Sequence, residues 1–485
     1  MVLLKKIETY VFLACLVLCT TVISFSAWDR LMTIRYFVWS LFALGLFVSI
    51  SLRADFGALR SPAIWLLAGY ALMVCASGFF AVNRYEWLYE MLRVFVMLVF
   101  LFIVITLADD RVYPVMTFLA LGLSLFGLVK ICTAEINGFG INGLGGNQNQ
   151  WAHLLVLLVP FCWKHKVVVF LLLLNILFTR NRGAFAAFGL MAIILSEGKM
   201  RYAVMGVVVS VIVFFLIFNR ALLLSPQRFG VWKATLAMFA AEPLGIGAGN
   251  WRLIIPKYRQ YFIEPNIFNP LFYNRPHNDY LLVLSEMGIG GFLCYIGFLI
   301  YLLFKSFKNK VLFAGIVGFM VISFLSFPME RAAISFVFLL TAGLALNGKF
   351  KPLKFQLWPI AICILIFASG DFWLRYKGSC QALASRASKD ISDMRISKFA
   401  CIDETTTPLY LFRGLRRYEL KDYAGAFGDF ETASKMAPNH PYVLAVFGST
   451  LMNIGRPNEA RPYIEKSLSV TPELELAQTV MERLK

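Results

Sequence analysis

His277 stands among residues suited to moving a proton. Asn274, Arg275, Pro276, His277, Asn278 and Asp279 close a long polar stretch, and an apolar run of membrane-spanning length follows them. Pro276 suits the first turn of a helix, where its missing N–H costs nothing. Asn278 and Asp279 place acceptors in the same turn, with Asp279 expected to cap the helix near the positive end of its dipole. The spacing therefore predicts His277 at a helix mouth, on the rim of a membrane. The dipole disfavours imidazolium there, and a neutral imidazole can serve as a general base. Two other groups compete for that role. Glu286 lies about two turns deeper along the same helix, and His153 begins another apolar run beside an Asn-rich stretch.

Cations supply the second kind of chemistry. Arg180, Asn181, Arg182 and Gly183 precede an apolar run, so Arg182 opens a helix beside free backbone N–H groups. That combination suits phosphate, which a guanidinium grips with two parallel bonds. Arg228, followed by Trp232, lies in the polar stretch 220–277 with Arg275 near its end. Asn147 and Asn149 end a Gly- and Asn-rich loop and offer amides to a sugar or phosphate, as does Asn278. Pro243 to Asn250 is a Gly-rich turn, and a phosphate cradle is the less common use of such a run. Ser225 to Ala241 reads as an amphipathic helix with Phe229, Trp232, Leu236 and Phe239 on one face, lying flat on a membrane leaflet or over a cavity. No Asp-x-Asp pair and no clustered His or Cys ligands occur, so neither metal nor cofactor is expected.

The elements that must hold these residues are membrane helices. Apolar residues make up 59% of the 485, charged residues only 15%, and the mean hydropathy is +0.70. Soluble domains carry roughly 25% charged residues and lack repeated runs of about twenty apolar ones. The fold expected is all-α, a polytopic transmembrane bundle with a soluble helical tail. Runs near 9–27, 34–52, 62–81, 88–107, 112–132, 151–163, 166–179, 183–196, 202–219, 278–304, 311–327, 331–347 and 356–370 predict 12 or 13 spans. With the N-terminus inside, Arg53, Arg60, Lys164, Lys166, Lys199, Arg201, Lys305, Lys308, Lys310, Lys349, Lys351 and Lys354 fall in cytoplasmic loops. The outer loop 133–150 has no Lys or Arg at all. Arg180, Arg182 and the basic residues of 220–277 break that rule, and an anionic ligand is the simplest reason. Topology and phosphate chemistry account for the net charge of +18 without nucleic acid.

Near residue 371 the sequence changes character. Charges become dense and balanced, giving a membrane domain at 1–370, including the outer loop 220–277, and a soluble domain at 371–485. Gly414 and Gly448, Ala426 and Ala460, Phe430 and Ile464, and Pro438 and Pro472 recur 34 residues apart. That repeat resembles the tetratricopeptide helical hairpin. Arg413 and Arg417 depart from its apolar positions, and residues 378–400 with a terminal helix at 473–484 are expected to complete the stack. Such a tail binds a protein partner and catalyses nothing. Thirteen spans would put it outside, twelve inside. Most of the nine cysteines lie in or beside spans, leaving Cys380 and Cys401 in the tail as a disulfide or as two unrelated thiols.

His277 and Asn278, then nine residues, then Gly288 and Gly291 reproduce a spacing that resembles the bacterial O-antigen ligases. Arg182-Gly183, Arg228 with Trp232, and the Gly-rich turn fall in the same order. Similar histidines occur in the related O-antigen polymerases and O-linking oligosaccharyltransferases. The resemblance implies a glycosyltransferase of the bacterial inner membrane, acting at the periplasmic face on a glycan linked to undecaprenyl diphosphate. It implies Arg182 and Arg228 on the diphosphate and His277 on the acceptor hydroxyl, with inversion at the anomeric carbon. The acceptor would be lipid A–core for a ligase, another lipid-linked glycan for a polymerase, or a protein hydroxyl. A secondary transporter, the reading from another class, should place charge at the bilayer midplane, whereas here the charges of interest cluster at one face.

Overall fold

The computed structural model describes residues 2–27, 29–53, 55–133, 143–218, 226–261, 274–348, 350, 351, 353, 355–388, 396 and 406–485. Helices dominate it. They are α1 (Val2–Thr21), α2 (Met32–Leu52), α3 (Pro62–Ser77), α4 (Arg84–Leu107), α5 (Val112–Cys132), α6 (Gln148–Cys162), α7 (Lys166–Thr179), α8 (Arg182–Leu195) and α9 (Gly198–Phe218). After them come α10 (Pro226–Ala241), α11 (Asp279–Ser306), α12 (Lys310–Leu325), α13 (Ala332–Leu346) and α14 (Trp358–Ser388). A helix stands at each expected span. Met32–Leu52, Arg84–Leu107, Val112–Cys132, Asp279–Ser306 and Trp358–Gln381 are long and apolar enough to cross a membrane, and five shorter apolar helices accompany them. The chain is a multi-pass membrane protein.

Pattern decides which helices lie at the centre. A helix apolar all round belongs inside a bundle. Every residue of α6 from Trp151 to Cys162 is buried, as is every residue of α13 from Ala332 to Gly343. An aromatic knot ties α13 to α2 and α4: Phe336 stacks on Phe100 at 4.4 Å, with Trp39 edge-on to both at 5.3 and 5.2 Å. Trp65, Phe118, Phe170 and Phe304 face outward, as side chains in lipid contact do. The expected cytoplasmic loops gather at one end of the bundle. Glu8 pairs with Arg53 at 2.8 Å, Arg60 Nε donates to the Lys351 carbonyl at 3.1 Å, and Lys310 pairs with Glu197.

α14 runs unbroken through the boundary expected at 370–371. Leu365, Ala368 and Phe372 are buried in the bundle core. Asp29 N donates to Ser379 Oγ at 2.6 Å, and Ser24 and Tyr376 share a hydrogen bond of 2.9 Å. Residues up to Ser379 thus pack with the membrane body, and 378–388 continue α14 rather than starting the repeat stack. Charge density marked Asp371 and Arg375 as soluble, but the two neutralise each other in an ion pair of 2.7 Å one turn apart. Cys401 lies outside the described residues, so its pairing with Cys380 does too.

Among the described residues from 406 on, the tail has two hairpins, α15 (Leu409–Glu419) with α16 (Tyr423–Met436) and α17 (Pro441–Asn453) with α18 (Pro457–Val470), closed by α19 (Glu475–Leu484). The repeated glycines mark the helix crossings. A Cβ on Gly414 would lie 2.6 Å from Phe430, and one on Gly448 would lie 2.6 Å from Ile464. Arg413 and Arg417, where apolar residues were expected, are both met by Asp429, at 2.6 and 3.2 Å. The tail docks on the loop that precedes His277. Arg259 pairs with Glu473 at 2.7 Å and donates to the Val470 carbonyl at 2.8 Å, while Asn439 donates to the Leu253 carbonyl at 2.8 Å.

His440 caps α17, and its chemistry makes the tail sensitive to acid. Its Nδ1 accepts from Val443 N at 3.3 Å, so the proton belongs on Nε2, 3.2 Å from Thr407 Oγ1. Burial lowers its pKa from 6.5 to about 4. The unfolded chain takes up a proton near pH 6.5 that the folded tail refuses until about pH 4, so stability falls across that window on acidification. Hydrogen exchange of the α17 amides in the full chain should accelerate from pH 6.5 to 4 beyond its chemical rate. His440→Asn, which keeps a capping oxygen, should remove that acceleration; persistence would acquit the histidine.

Candidate active site

The site is built from the starts of α6, α8 and α11, all capped by asparagine. Asn278 caps α11 by accepting from Leu281 N at 3.0 Å. Pro276 lies outside the helix, and its carbonyl accepts from Trp232 Nε1 of α10 at 2.9 Å. Asp279 does not cap, contrary to expectation: its Oδ2 accepts from Met329 N at 3.2 Å, tying α11 to the turn before α13. Between them His277 takes a left-handed backbone, φ +54°. A residue other than glycine persists there only when its surroundings hold it. Here Trp232 grips the preceding carbonyl, and Phe327 meets the imidazole edge at 5.1 Å and 68°.

The His277 imidazole is neutral at pH 7. Burial, chiefly, and then the charges of Arg228 and Arg331 push its pKa down from 6.5 to about 4. The helix dipole, from which neutrality was expected, is not the main cause. Arg228 opens α10 and is half-buried. Arg331 went unnoticed in the sequence because it falls at the first residue of a predicted span, where a lone arginine reads as a snorkelling anchor. Its guanidinium lies 4.8 Å from the centre of the Phe327 ring, so that ring is flanked by the histidine and a cation.

Asn147 caps α6, accepting from Gln150 N at 3.0 Å, and Asn181 caps α8, accepting from Ala184 N at 2.7 Å. Asn181 Nδ2 also donates to Asn149 Oδ1 at 2.5 Å, which locks the two helix mouths together. His153, one turn below Asn149 and fully buried, bonds to the Asn181 side chain and lies within electrostatic reach of Arg228 and His277. The structure thus brings together His277, Arg228, His153, Asn149 and Asn181. Arg182 is exposed at the first position of α8, next to this cluster; Arg180, left-handed at φ 53°, ends α7 and is also exposed. Arg275 is buried and committed to Glu330, with Glu90 at 4.0 Å, so its charge is met by protein rather than held open for substrate.

The Gly-rich turn has a structural use. Ile246 N and Gly247 N donate to the Ser285 and Glu286 carbonyls, each at 3.1 Å, and Trp251 N donates to Glu286 Oε1 at 3.0 Å. These amides are spent on α11, which is broken at Gly288 (φ 64°, ψ −167°) to receive them. A Cβ on Gly288 would lie 2.5 Å from the Pro243 carbonyl oxygen. The spacing from His277 to Gly288 therefore measures the distance from the helix mouth to the notch that seats the 243–250 loop. Glu286, occupied at the notch, is a poor competitor as a base. In α10 the face that packs is Val231, Ala234, Thr235 and Met238, while Phe229 and Leu236 stay exposed. Ser225 lies outside the described residues.

No curated protein matches the chain. Residues 167–296 match the family model described as O-antigen ligase, a segment that begins in α7, ends in α11 and takes in Arg182, Arg228 and His277. That match supports the likeness of this segment to the O-antigen ligase and polymerase superfamily.

Proposed function

We propose that this protein is an inverting, metal-independent membrane glycosyltransferase that moves a glycan from undecaprenyl diphosphate to an acceptor hydroxyl, with lipid A–core as the acceptor. The observation that carries the reading is the grouping of His277 with Arg228 inside a segment that matches the O-antigen ligase family. The acceptor oxygen attacks the anomeric carbon while the bond from that carbon to the diphosphate oxygen breaks. Undecaprenyl diphosphate leaves with the electron pair, and the hydroxyl proton passes to His277. Arg182 and Arg228 offset the charge that grows on the leaving group. Purified protein in nanodiscs, given undecaprenyl-diphosphate-linked glycan and lipid A–core, should transfer the glycan in the presence of EDTA. Donor glycans that lengthen without using lipid A–core would make it a polymerase, and no transfer to either would overturn the reading.

In this reading the site faces the periplasm from the inner membrane. The tail shares that face, because Arg259 and Leu253 of the outer loop bond to it. A membrane-impermeant thiol reagent applied to intact, reduced spheroplasts should therefore label Cys380, which is half-exposed near the end of α14. Labelling only after lysis would put both tail and site in the cytoplasm.

A further inference from the structure

Arg331 lies beyond residue 296, outside the matched segment, and the transfer described above does not call on it. Three features single it out. Phe327 is shared by the two: its ring centre lies 4.8 Å from the Arg331 guanidinium and 5.1 Å from the centre of the His277 imidazole, which keeps the cation close to the histidine. The turn that carries it is pinned from four helices. Ser335 Oγ of α13 donates to the Met329 carbonyl at 2.6 Å, and Tyr36 of α2 donates to the Glu330 carbonyl at 3.1 Å. Asp279 of α11 accepts from Met329 N, and Arg93 of α4 donates to the Met329 carbonyl. Finally, α13 begins directly after Arg331, whose own side chain does not cap it, and Ala332 and Ala333 are buried. Its first amides add to the positive potential at this spot.

A guanidinium held in place before any ligand arrives loses little on engaging one, which is the arrangement that stabilises developing charge best. Among the described residues, the charged or titratable groups acting on His277 are Arg228 from α10, Arg331 at the mouth of α13, and His153 from α6. Asp279 is engaged by Met329 N and Glu330 by Arg275. Both cations lower the proton affinity of the imidazole, and a bound anion would offset their effect.

We propose that Arg331 is a third anion-binding group of this site, closing with Arg228 on the phosphate oxygens of a diphosphate beside His277. The inference rests on the donor reading above and extends it. An anion seated between the two guanidiniums raises the proton affinity of His277, and by reciprocity a protonated His277 holds the anion more tightly. The base therefore strengthens when the donor is in place, and the proton it has taken helps retain the diphosphate.

Inorganic pyrophosphate is the probe. Full-length protein in nanodiscs is titrated with it and followed by phosphorus NMR, while nitrogen-labelled histidines report the titration of His277, assigned with His277→Gln. Arg331→Gln should weaken pyrophosphate binding roughly tenfold to a hundredfold, and Arg331→Lys by less, since it keeps the charge but not the fork. In the wild type, pyrophosphate should lift the His277 midpoint from about 4 toward its ordinary value. Arg331→Gln should lift it without ligand and shrink the further change. If Arg331→Gln binds pyrophosphate as the wild type does while Arg228→Gln does not, the inference falls and the donor reading stands. If Arg331→Gln does not fold, wild-type affinity in Arg331→Lys with an unmoved His277 midpoint overturns it instead. A wild type that binds no pyrophosphate removes the donor reading together with the inference.

Discussion

His277→Ala should stop glycan transfer while donor binding and the fold survive. A sugar or lipid hydroxyl has a pKa far above neutral, so an acceptor for its proton helps as the new bond forms, and a positioned base contributes about a hundredfold or more. The geometry leaves His277 the strongest claim to that role. Glu286 is occupied by Trp251 N, Asp279 by Met329 N, and His153 lies buried behind Asn181. The left-handed backbone at His277 also gives a side chain whose direction is fixed before substrate arrives. The assay is gel-resolved transfer from lipid-linked glycan to lipid A–core, with donor retention measured alongside. A variant that kept more than about a tenth of the rate would fall short of the usual contribution of a general base and make His277 a positioning residue. The pH profile supplies a second check. Because burial and two guanidiniums hold the free imidazole near a pKa of about 4, kcat/KM should stay flat on acidification well below pH 6.5. An acid limb at 6.5 would mean that the ring is solvated and not the buried group described here.

The sequence carried the helices plainly, since runs of twenty apolar residues have few other uses. It also pointed to Arg228, because basic residues in an outer loop violate the charge rule that governs the others, and to His277, because Pro276, Asn278 and Asp279 mark a helix mouth there. What it could not carry was the use of each residue in three dimensions. Pro276 and Asp279 read as helix-start residues, and only the neighbouring helices show that Asn278 alone does the capping. Arg275 sat in the same segment as His277 and seemed equally available, but its partners Glu90 and Glu330 come from helices far away in sequence. The glycines of 243–250 had the composition of a phosphate cradle. Their amides go to α11 because Gly288, forty residues on, opens a notch that no local pattern announces. Arg331 was hidden for the opposite reason. It lies at the end of an apolar run, where hydropathy absorbs a single charge into the span. Asp371 and Arg375 misled the boundary in the same way: two charges one turn apart read as solvent exposure, yet they neutralise each other inside the bundle.

Arg228→Ala should cost two orders of magnitude or more in transfer, the scale of removing one charge-stabilising group at a reacting centre. The loss belongs to the chemical step, since the charge on the diphosphate grows as the glycosidic bond breaks. Lysine should recover only part of it, keeping the charge but losing the planar grip on two oxygens. Arg228 has a second effect that separates it from a mere anchor. Its charge is one of the two that lower the pKa of His277, so Arg228→Ala should move the acid limb of kcat/KM upward while the maximal rate falls. A helix anchor would change protein yield and melting temperature but leave that limb where it was. Trp232, one turn along α10, is the built-in control. It holds the Pro276 carbonyl through its indole, so Trp232→Phe should loosen the backbone of His277 without changing any charge. Arg182 is exposed at the mouth of α8, locked to α6 through Asn181 and Asn149. Arg182→Ala should match the loss at Arg228 if both guanidiniums meet the leaving group, yet with a smaller shift of the acid limb, because Arg228 is one of the charges that chiefly lower the pKa of His277. Full activity in both alanine variants, at normal protein levels, would leave the two arginines as anchors and remove the diphosphate from this face of the site.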